Sequence, residues 1–248
     1  MNVQSISNKT VAEIVSEDYR TARVFTKKGI DFCCNGDKLL KEACEEKGIS
    51  MQFIFTEISA ASKGKSNLDN DFNRWPLDML TEVIEKRHHK YIEDMIPIIR
   101  GLFKKVCEAH AQQMPELETI KDLFDDSADE LTLHTKKEEL LLFPFIRKMV
   151  ETELTEGQLN IIENTLVSPI KKFVEDHIEE GNRFLKIRTL TNEYKAPQWA
   201  CTSLKLLFEM LHAFEEDLHL HIHLENNILF PKAIRLERKL KLSHKLNM

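Results

Sequence analysis

Two stretches of this chain share one pattern: HTKKEELLLFP at residues 134–144 and HIHLENNILFP at residues 221–231. Each begins with histidine, has glutamate at its fifth position and ends on Leu-Phe-Pro. Residues four apart lie on one face of an α-helix, so each histidine and its glutamate are expected to point to the same side. The repetition indicates that both stretches serve one shared chemical purpose.

The spacing of other histidines extends this repetition over most of the chain. His89 lies 45 residues before His134, and His177 lies 44 residues before His221. Long amphipathic helices with short connections predict an all-α protein built on an up-down-up-down four-helix bundle. The four helical patterns, which are separated by Pro115, Gly157 and Pro197, lie near residues 77–111, 116–150, 157–190 and 199–240.

Each of these histidines lies in an apolar stripe that is expected to face the core. The stripe around His134 and Glu138 includes Leu141 and Phe145 at helical spacing. On the first helix His88 and His89 are adjacent, and both the 45-residue spacing and the neighbouring isoleucines favour His89. The residues predicted to lie on the opposite, exposed face of the last helix are His212, His219, His223 and Asn227.

These histidines are either core residues or metal ligands, and the convergence of several of them decides between the two interpretations. A single inward histidine is usually a core residue that is hydrogen-bonded to a backbone carbonyl. Burying two carboxylates without compensation costs several kcal/mol each, and the stripes offer no inward lysine or arginine. A pair of metal cations would remove that cost by binding carboxylates and neutral imidazoles. The predicted ligands are His89, His134, Glu138, His177, His221 and Glu225.

Composition sets limits on the function. The formal charge of −6 and the isoelectric point near 6.0 argue against a nucleic-acid partner. No apolar run is long enough to cross a membrane and no signal peptide is recognised, so we expect no membrane partner and a cytoplasmic location. Turn-prone and polar residues between the helical patterns predict a small helical domain at 1–60, a polar linker at 61–74 and the bundle at 75–248.

Cys33 and Cys34 are adjacent in the predicted turn IDFCCNGD, residues 30–37. Free cysteine is often a small buried apolar residue, which is the expectation for Cys44, Cys107 and Cys201. Packing alone explains an adjacent pair less easily. Redox chemistry of the thiols, an intermolecular bond and transient iron binding are the alternatives that the sequence leaves open.

The His-x-x-x-Glu pairs on facing helices resemble the haemerythrin-like domain, a four-helix bundle that holds two irons. The resemblance implies a non-haem di-iron centre bridged by Glu138, Glu225 and an oxo or hydroxo group, with the four histidines as terminal ligands. One departure is Gly181, which stands where oxygen-carrying members have a further histidine. This departure weakens an oxygen-carrier interpretation.

DFCCNGD followed by HxxKEExxLFP, EDHxxxG and HIxLENNxLFP resembles the Repair of Iron Centres family. That resemblance implies restoration of iron–sulfur clusters damaged by oxidative or nitrosative stress, with iron supplied to damaged Fe–S client proteins. A di-iron redox enzyme that reduces nitric oxide or peroxide, and a sensor of O2 or NO, are the alternatives. A homodimer is a further state that the sequence leaves open.

Overall fold

The computed structural model describes residues 3–62, 72–155 and 166–246. Helices dominate these ranges, and the predicted all-α class is confirmed. No helix in the described part of the chain combines the length and apolar character needed to cross a membrane. The predicted break at Gly157 and most of the predicted linker (63–71) lie outside the described residues, so the domain boundaries stay predictions.

Short helices make up the described N-terminal part. Thr10 begins α2 with a capping box, in which its hydroxyl accepts from the Glu13 N–H at 3.1 Å and the Glu13 carboxylate accepts from the Thr10 N–H at 2.8 Å. Gly29 follows α3 with φ of 63°, a conformation that glycine adopts without strain. The helices are α1 (Val3–Ser7), α2 (Val11–Glu17), α3 (Ala22–Lys27), α4 (Leu40–Glu46) and α5 (Met51–Ala61).

Four long helices follow, close to the predicted ranges. Three of them contain a wider, π-helical segment between α-helical parts. They are α6 (Leu77–Val83, π-helical Ile84–His89, Lys90–His110), α7 (Glu116–Lys137, π-helical Glu138–Leu142, Phe143–Leu154), α8 (Val167–Leu190) and α9 (Thr202–Leu224, π-helical Glu225–Leu229, Phe230–Leu246).

The chain divides into two compact units, Thr81–His221 and Met1–Leu80 with Ile222–Met248. In the Thr81–His221 unit, buried phenylalanines fill the space between the helices. The Phe214 ring lies 5.5 Å from Phe124 and 5.6 Å from Phe184, and Phe103 lies 5.7 Å from Phe124. Burial of each ring contributes on the order of 2–3 kcal/mol, so this cluster is a substantial part of the unit's apolar core.

The π-helical segment in α7 corrects the predicted inward face. Leu141 is 70% exposed and Phe145 is only half-buried, whereas Leu142 and Phe143 are buried. A π-turn contains an additional residue, so every later side chain rotates relative to the regular 3.6-residue period. Extrapolating the regular period from Glu138 therefore selected the wrong apolar residues.

In the second unit, Met1–Leu80 with Ile222–Met248, His223 and Asn227 also differ from prediction. His223 is fully buried, its Nε2 lies 3.3 Å from the Ser16 hydroxyl, and its ring lies 5.8 Å from that of Phe32. Burial lowers the pKa of His223 to about 4, against the opposing hydrogen bond of the Phe32 backbone. Asn227 is half-buried and contacts His223 Nδ1 at 3.1 Å. At His223, the face that was predicted to be exposed is thus part of this unit's interior.

Two further predictions of exposure differ in detail. His212 is exposed as expected, but His219 is half-buried near Glu215. Cys44 and Cys107 are buried, as expected, whereas Cys201 is exposed with its sulfur 3.0 Å from His110 Nε2. Local sequence pattern does not predict this contact, because His110 is 91 residues away from Cys201 in sequence.

Close backbone approach fixes the residue type at position 36. The Gly36 carbonyl accepts from the Ala12 N–H at 2.7 Å. A Cβ at this glycine would lie 2.4 Å from the Phe32 carbonyl oxygen and 2.8 Å from the Ala12 Cβ. Only glycine avoids these overlaps, and the turn that carries the cysteine pair depends on it.

Gly36→Ala is expected to lower the local opening free energy around the turn by about 1–3 kcal/mol, because the added methyl group must displace backbone. Hydrogen exchange of peptides covering residues 8–40 measures this opening. Gly101→Ala is the matched control, since a Cβ there meets nothing within 4 Å. Unchanged exchange in Gly36→Ala would contradict the assigned requirement for glycine.

Candidate metal site

Within the Thr81–His221 unit, the four predicted histidine ligands form two pairs. His89 Nε2 lies 3.2 Å from His221 Nε2, and His134 Nε2 lies 2.9 Å from His177 Nε2. Two nitrogens that each lie about 2.1 Å from one cation are about 3.0–3.4 Å apart at common coordination angles. Each pair therefore has the nitrogen spacing of two ligands to a single ion.

Glu138 lies between the two pairs. Its Oε2 is 3.5 Å from His89 Nε2, and its Oε1 is 3.4 Å from His134 Nε2. The side chain is fully buried. One carboxylate thus directs a separate oxygen toward each histidine pair, which is the arrangement required to bridge two cations.

Glu225 is the sixth predicted ligand. It begins the π-helical segment of α9, four residues after His221 on the same helix, and is fully buried. The corresponding segment of α7 begins at Glu138, four residues after His134. Both carboxylates thus occupy the same local position, at the point where an α-helix widens. Such segments are frequent at functional sites.

Leu-Phe-Pro, which ends both repeated stretches, has a local explanation in α7. Pro144 follows the π-helical segment in the first turn of the next α-helical part, where the missing N–H is best tolerated. The preceding Phe143 stacks on the His89 ring, with 5.5 Å between centroids and 18° between planes. The tripeptide therefore ends the widened turn and packs, through Phe143, against a predicted ligand.

The choice between His88 and His89 is informed by geometry. His89 takes part in the contacts with His221 and Glu138, whereas His88 Nδ1 lies 3.0 Å from both carboxylate oxygens of Asp217. The His88 ring is buried and stacks on His221 at 5.9 Å. His88 thus packs against a predicted ligand, whereas the contacts of His89 with His221 and Glu138 favour His89 as the predicted ligand.

Carboxylates outside the two pairs contact the Nδ1 atoms of two imidazoles, on the side away from the paired Nε2 atoms. His89 Nδ1 lies 3.0 Å from Glu139 Oε1, and His134 Nδ1 lies 3.5 Å from Asp176 Oδ2. Glu139 also accepts from Lys136 at 2.8 Å. Burial raises the Glu139 pKa, but the Lys136 and His89 hydrogen bonds outweigh it and hold that pKa below its usual value. An ionised Glu139 orients the imidazole and leaves Nε2 to face a cation.

A cavity of about 160 Å³ lies beside His134 and is lined by both polar and aliphatic side chains. Glu180 borders it, is buried, and accepts hydrogen bonds from Ser127 and Arg183. Burial raises the pKa of Glu180 to about 7, although Ser127 and Arg183 act in the opposite direction. The remaining lining residues are Glu130, Leu131, Leu133, Lys137, Lys172 and Asp176.

Sequence reasoning did not identify Glu139, Asp176, Glu180 and Asp217 as partners of this centre. Asp176 directly precedes His177, Glu180 follows it by three residues, and Glu139 directly follows Glu138. Proximity to a predicted ligand was the available signal. Selecting these acids also requires knowing which helix packs opposite, because each contacts a side chain on another helix.

Cys33 and Cys34 lie in the other unit, in the predicted turn. Their sulfurs are 3.6 Å apart and the two residues do not form a disulfide. Cys33 is buried and Cys34 is half-buried. The hydrogen bond with Cys34, followed by burial, raises the pKa of the Cys33 thiol well above its ordinary value.

Comparison with known families gives one match in the N-terminal part of the chain and a second match that contains both repeated stretches. Residues 83–233 match the family described as Hemerythrin HHE cation binding domain. Residues 7–62 match ScdA_N, described as a domain of unknown function. The first match contains all six predicted ligands, and the second contains both adjacent cysteines.

Curated relatives align over nearly the whole chain. The iron-sulfur cluster repair protein ScdA of Staphylococcus haemolyticus is 29% identical over 229 residues, covering 92% of this chain and 99% of the relative. The iron-sulfur cluster repair protein YtfE of Dickeya chrysanthemi is 28% identical over 231 residues, covering 93% and 98%. YtfE of Cronobacter sakazakii is 29% identical over 219 residues, covering 88% and 93%. The two matched domains stand in the same order as the motifs that resemble the Repair of Iron Centres family. The match over residues 83–233 shows that this chain belongs to the hemerythrin HHE cation binding family.

Proposed function

We propose that this protein holds two iron ions and acts in the repair of damaged iron–sulfur clusters by supplying iron. The proposal of two irons rests on the position of Glu138, which directs one oxygen toward His89 and the other toward His134. The repair part is supported by relatives that are named iron-sulfur cluster repair proteins and align over nearly their whole length.

In this proposal, the His89–His221 pair binds one iron and the His134–His177 pair binds the other. Glu138 and Glu225 bridge the two ions. Imidazole and carboxylate are ligands that suit iron, and the predicted set contains no thiolate, which disfavours a cysteine-rich structural zinc site. An oxo or hydroxo group as a further bridge stays a prediction.

The number of protein ligands determines how readily the proposed iron ions exchange. Six protein side chains, two of them shared, supply fewer ligands than two six-coordinate ions require, so each iron keeps exchangeable positions. Bound iron supplies redox chemistry and a site for small ligands such as O2 or NO. Glu139 and Asp176 orient the imidazoles, and the cavity beside His134 provides a polar approach to that pair.

Clients and location follow the same proposal. We assign the protein to the cytoplasm, with damaged Fe–S proteins as its partners and with neither nucleic acid nor membrane among them. Cys33 and Cys34 take part in delivering iron or electrons to the client. A homodimer linked through these thiols is the competing role for the pair.

His221→Ala is expected to lower the iron content from about two ions per chain, the number for a two-metal site, to less than one, because both ions share bridging ligands. Metal analysis of protein reconstituted anaerobically with ferrous iron measures this content. His219→Ala is the matched control, since His219 lies two residues away on the same helix near Glu215. Loss of iron in His219→Ala with retention in His221→Ala would contradict the assigned ligands.

Glu139→Gln is expected to weaken iron retention by about 10–100-fold, the usual effect of removing a carboxylate that orients a ligating histidine. The rate of iron loss to a chelator measures retention, and circular dichroism checks the helical content. Glu93→Gln is the control, because Glu93 is 63% exposed and pairs with Lys90 on the surface. Equal chelation rates for both variants and the wild type would show that Glu139 does not act on the site.

Repair itself is tested by anaerobic incubation of the iron-loaded protein with an Fe–S enzyme that has lost iron. We expect client activity to return as iron leaves this chain, and Cys33→Ser/Cys34→Ser to slow that return while retaining the iron spectrum, since hydroxyls bind iron poorly. Cys44→Ser is the thiol control. Sustained consumption of nitric oxide or peroxide with an electron donor, without iron transfer, would instead support the redox enzyme. Reversible O2 or NO spectra without turnover or transfer would support the sensor.

A further inference from the structure

A second cluster of metal-ligating side chains lies in the turn that carries the cysteine pair. We propose that Asp31, Cys33 and Cys34 form a three-ligand site for a thiophilic divalent cation. Ligand atoms from the three residues all lie within 4.8 Å of one another. This cluster shares no residue with the predicted di-iron ligands, and cation binding here requires neither that centre nor the repair function.

The spacing of the ligand atoms fits one tetrahedral ion. Two sulfurs that each lie about 2.3 Å from a tetrahedral cation are about 3.8 Å apart, and a sulfur and an oxygen at about 2.0 Å are about 3.5 Å apart. The Cys33 and Cys34 sulfurs are 3.6 Å apart, and Cys33 Sγ lies 3.4 Å from Asp31 Oδ1. Both distances are close to those expected, so little rearrangement is needed to bind an ion.

Asp31 is held in its ionised form. Loss of water around the carboxyl raises its pKa, but the N–H groups of Cys34 and Cys33 and the Asn35 amide outweigh this effect and lower the pKa below its usual value. Oδ1 accepts from the Cys34 N–H at 2.9 Å and the Cys33 N–H at 3.0 Å, and Oδ2 accepts from Asn35 at 2.7 Å. The turn therefore presents a fixed negative charge beside the two sulfurs.

A bound cation would change the protonation state of the Cys33 thiol. The hydrogen bond with Cys34 and burial raise its pKa, and a protonated thiol is both a poor nucleophile and a poor metal ligand. A divalent cation changes this balance because coordination deprotonates a ligating thiol. As the two metal–sulfur bonds form, both thiols release their protons to solvent, and the bound metal keeps its oxidation state.

Contacts within the same compact unit fix the shape of the turn. The Asn226 amide donates to the Cys33 carbonyl at 3.2 Å. The Asn227 amide donates to the Phe32 and Cys33 carbonyls, each at 3.3 Å. Gly36 allows the close approach of Ala12 described above. The ligands are thus positioned by the fold before any cation binds, which reduces the entropy lost on binding.

Three protein ligands leave the fourth tetrahedral position to an exchangeable ligand. Structural zinc sites usually have four protein ligands, whereas sites that exchange ligands have three. Cys34 is half-buried and so is reachable from solvent. The site is suited to holding a thiophilic ion that exchanges, rather than to locking the fold.

Cobaltous ion tests the site in the full-length, iron-loaded protein kept reduced with a phosphine. Cobalt bound by thiolates gives sulfur-to-metal charge-transfer absorption that nitrogen and oxygen ligands do not give. We expect this absorption to saturate at one cobalt per chain and to vanish in Cys33→Ser/Cys34→Ser. Asp31→Asn, which keeps the oxygen that accepts the turn's N–H groups but loses the charge, should weaken cobalt binding by at least about tenfold.

Two controls make the assignment specific. Asp37→Asn changes a nearby exposed acid of the same turn, and Cys201→Ser removes the exposed thiol beside His110. Both should bind cobalt as the wild type does. Absence of charge-transfer absorption in the wild type, its persistence in the double serine variant, or its loss in Cys201→Ser would each overturn the proposal. Equal cobalt affinity in Asp31→Asn and Asp37→Asn would remove Asp31 from the site.

Discussion

The burial of a carboxylate among imidazoles is the constraint on which the bundle depends. Glu138 is fully buried in an apolar helical interior, with His89 and His134 as near neighbours. Taking an ionised carboxylate out of water costs several kcal/mol unless an opposite charge lies close to it. Two cations held by the histidine pairs would offset this cost and give the helices one shared centre. Metal binding and folding would then be coupled, because the predicted ligands come from α6, α7, α8 and α9.

Departures from a regular helix accompany this centre. The π-helical segments of α7 and α9 begin at Glu138 and Glu225, and that of α6 ends at His89. A widened turn is less stable than an α-helical one and is retained where its geometry serves a function. In α7 the widened turn rotates the following residues, so that Phe143 stacks on His89 while Leu141 faces solvent.

Local pattern was sufficient to predict what depends on helical period and spacing. The all-α class and the burial of the six candidate ligands are each encoded within a few residues. Features that depend on distant partners were not predictable in this way. The burial of His223 depends on Ser16, 207 residues earlier, and the environment of His134 depends on Asp176 across the helix interface. The error at Leu141 has a different origin, since the regular period does not encode a π-turn.

In the proposed centre, two irons share the bridging carboxylates. Iron-edge X-ray absorption of the iron-loaded Cys33→Ser/Cys34→Ser variant measures whether they do, because the variant removes the thiol pair as a competing iron site. The account predicts iron surrounded by nitrogen and oxygen ligands with a second iron within about 4 Å, the separation of two-metal sites. Iron without a metal neighbour, or iron with sulfur ligands, would contradict it.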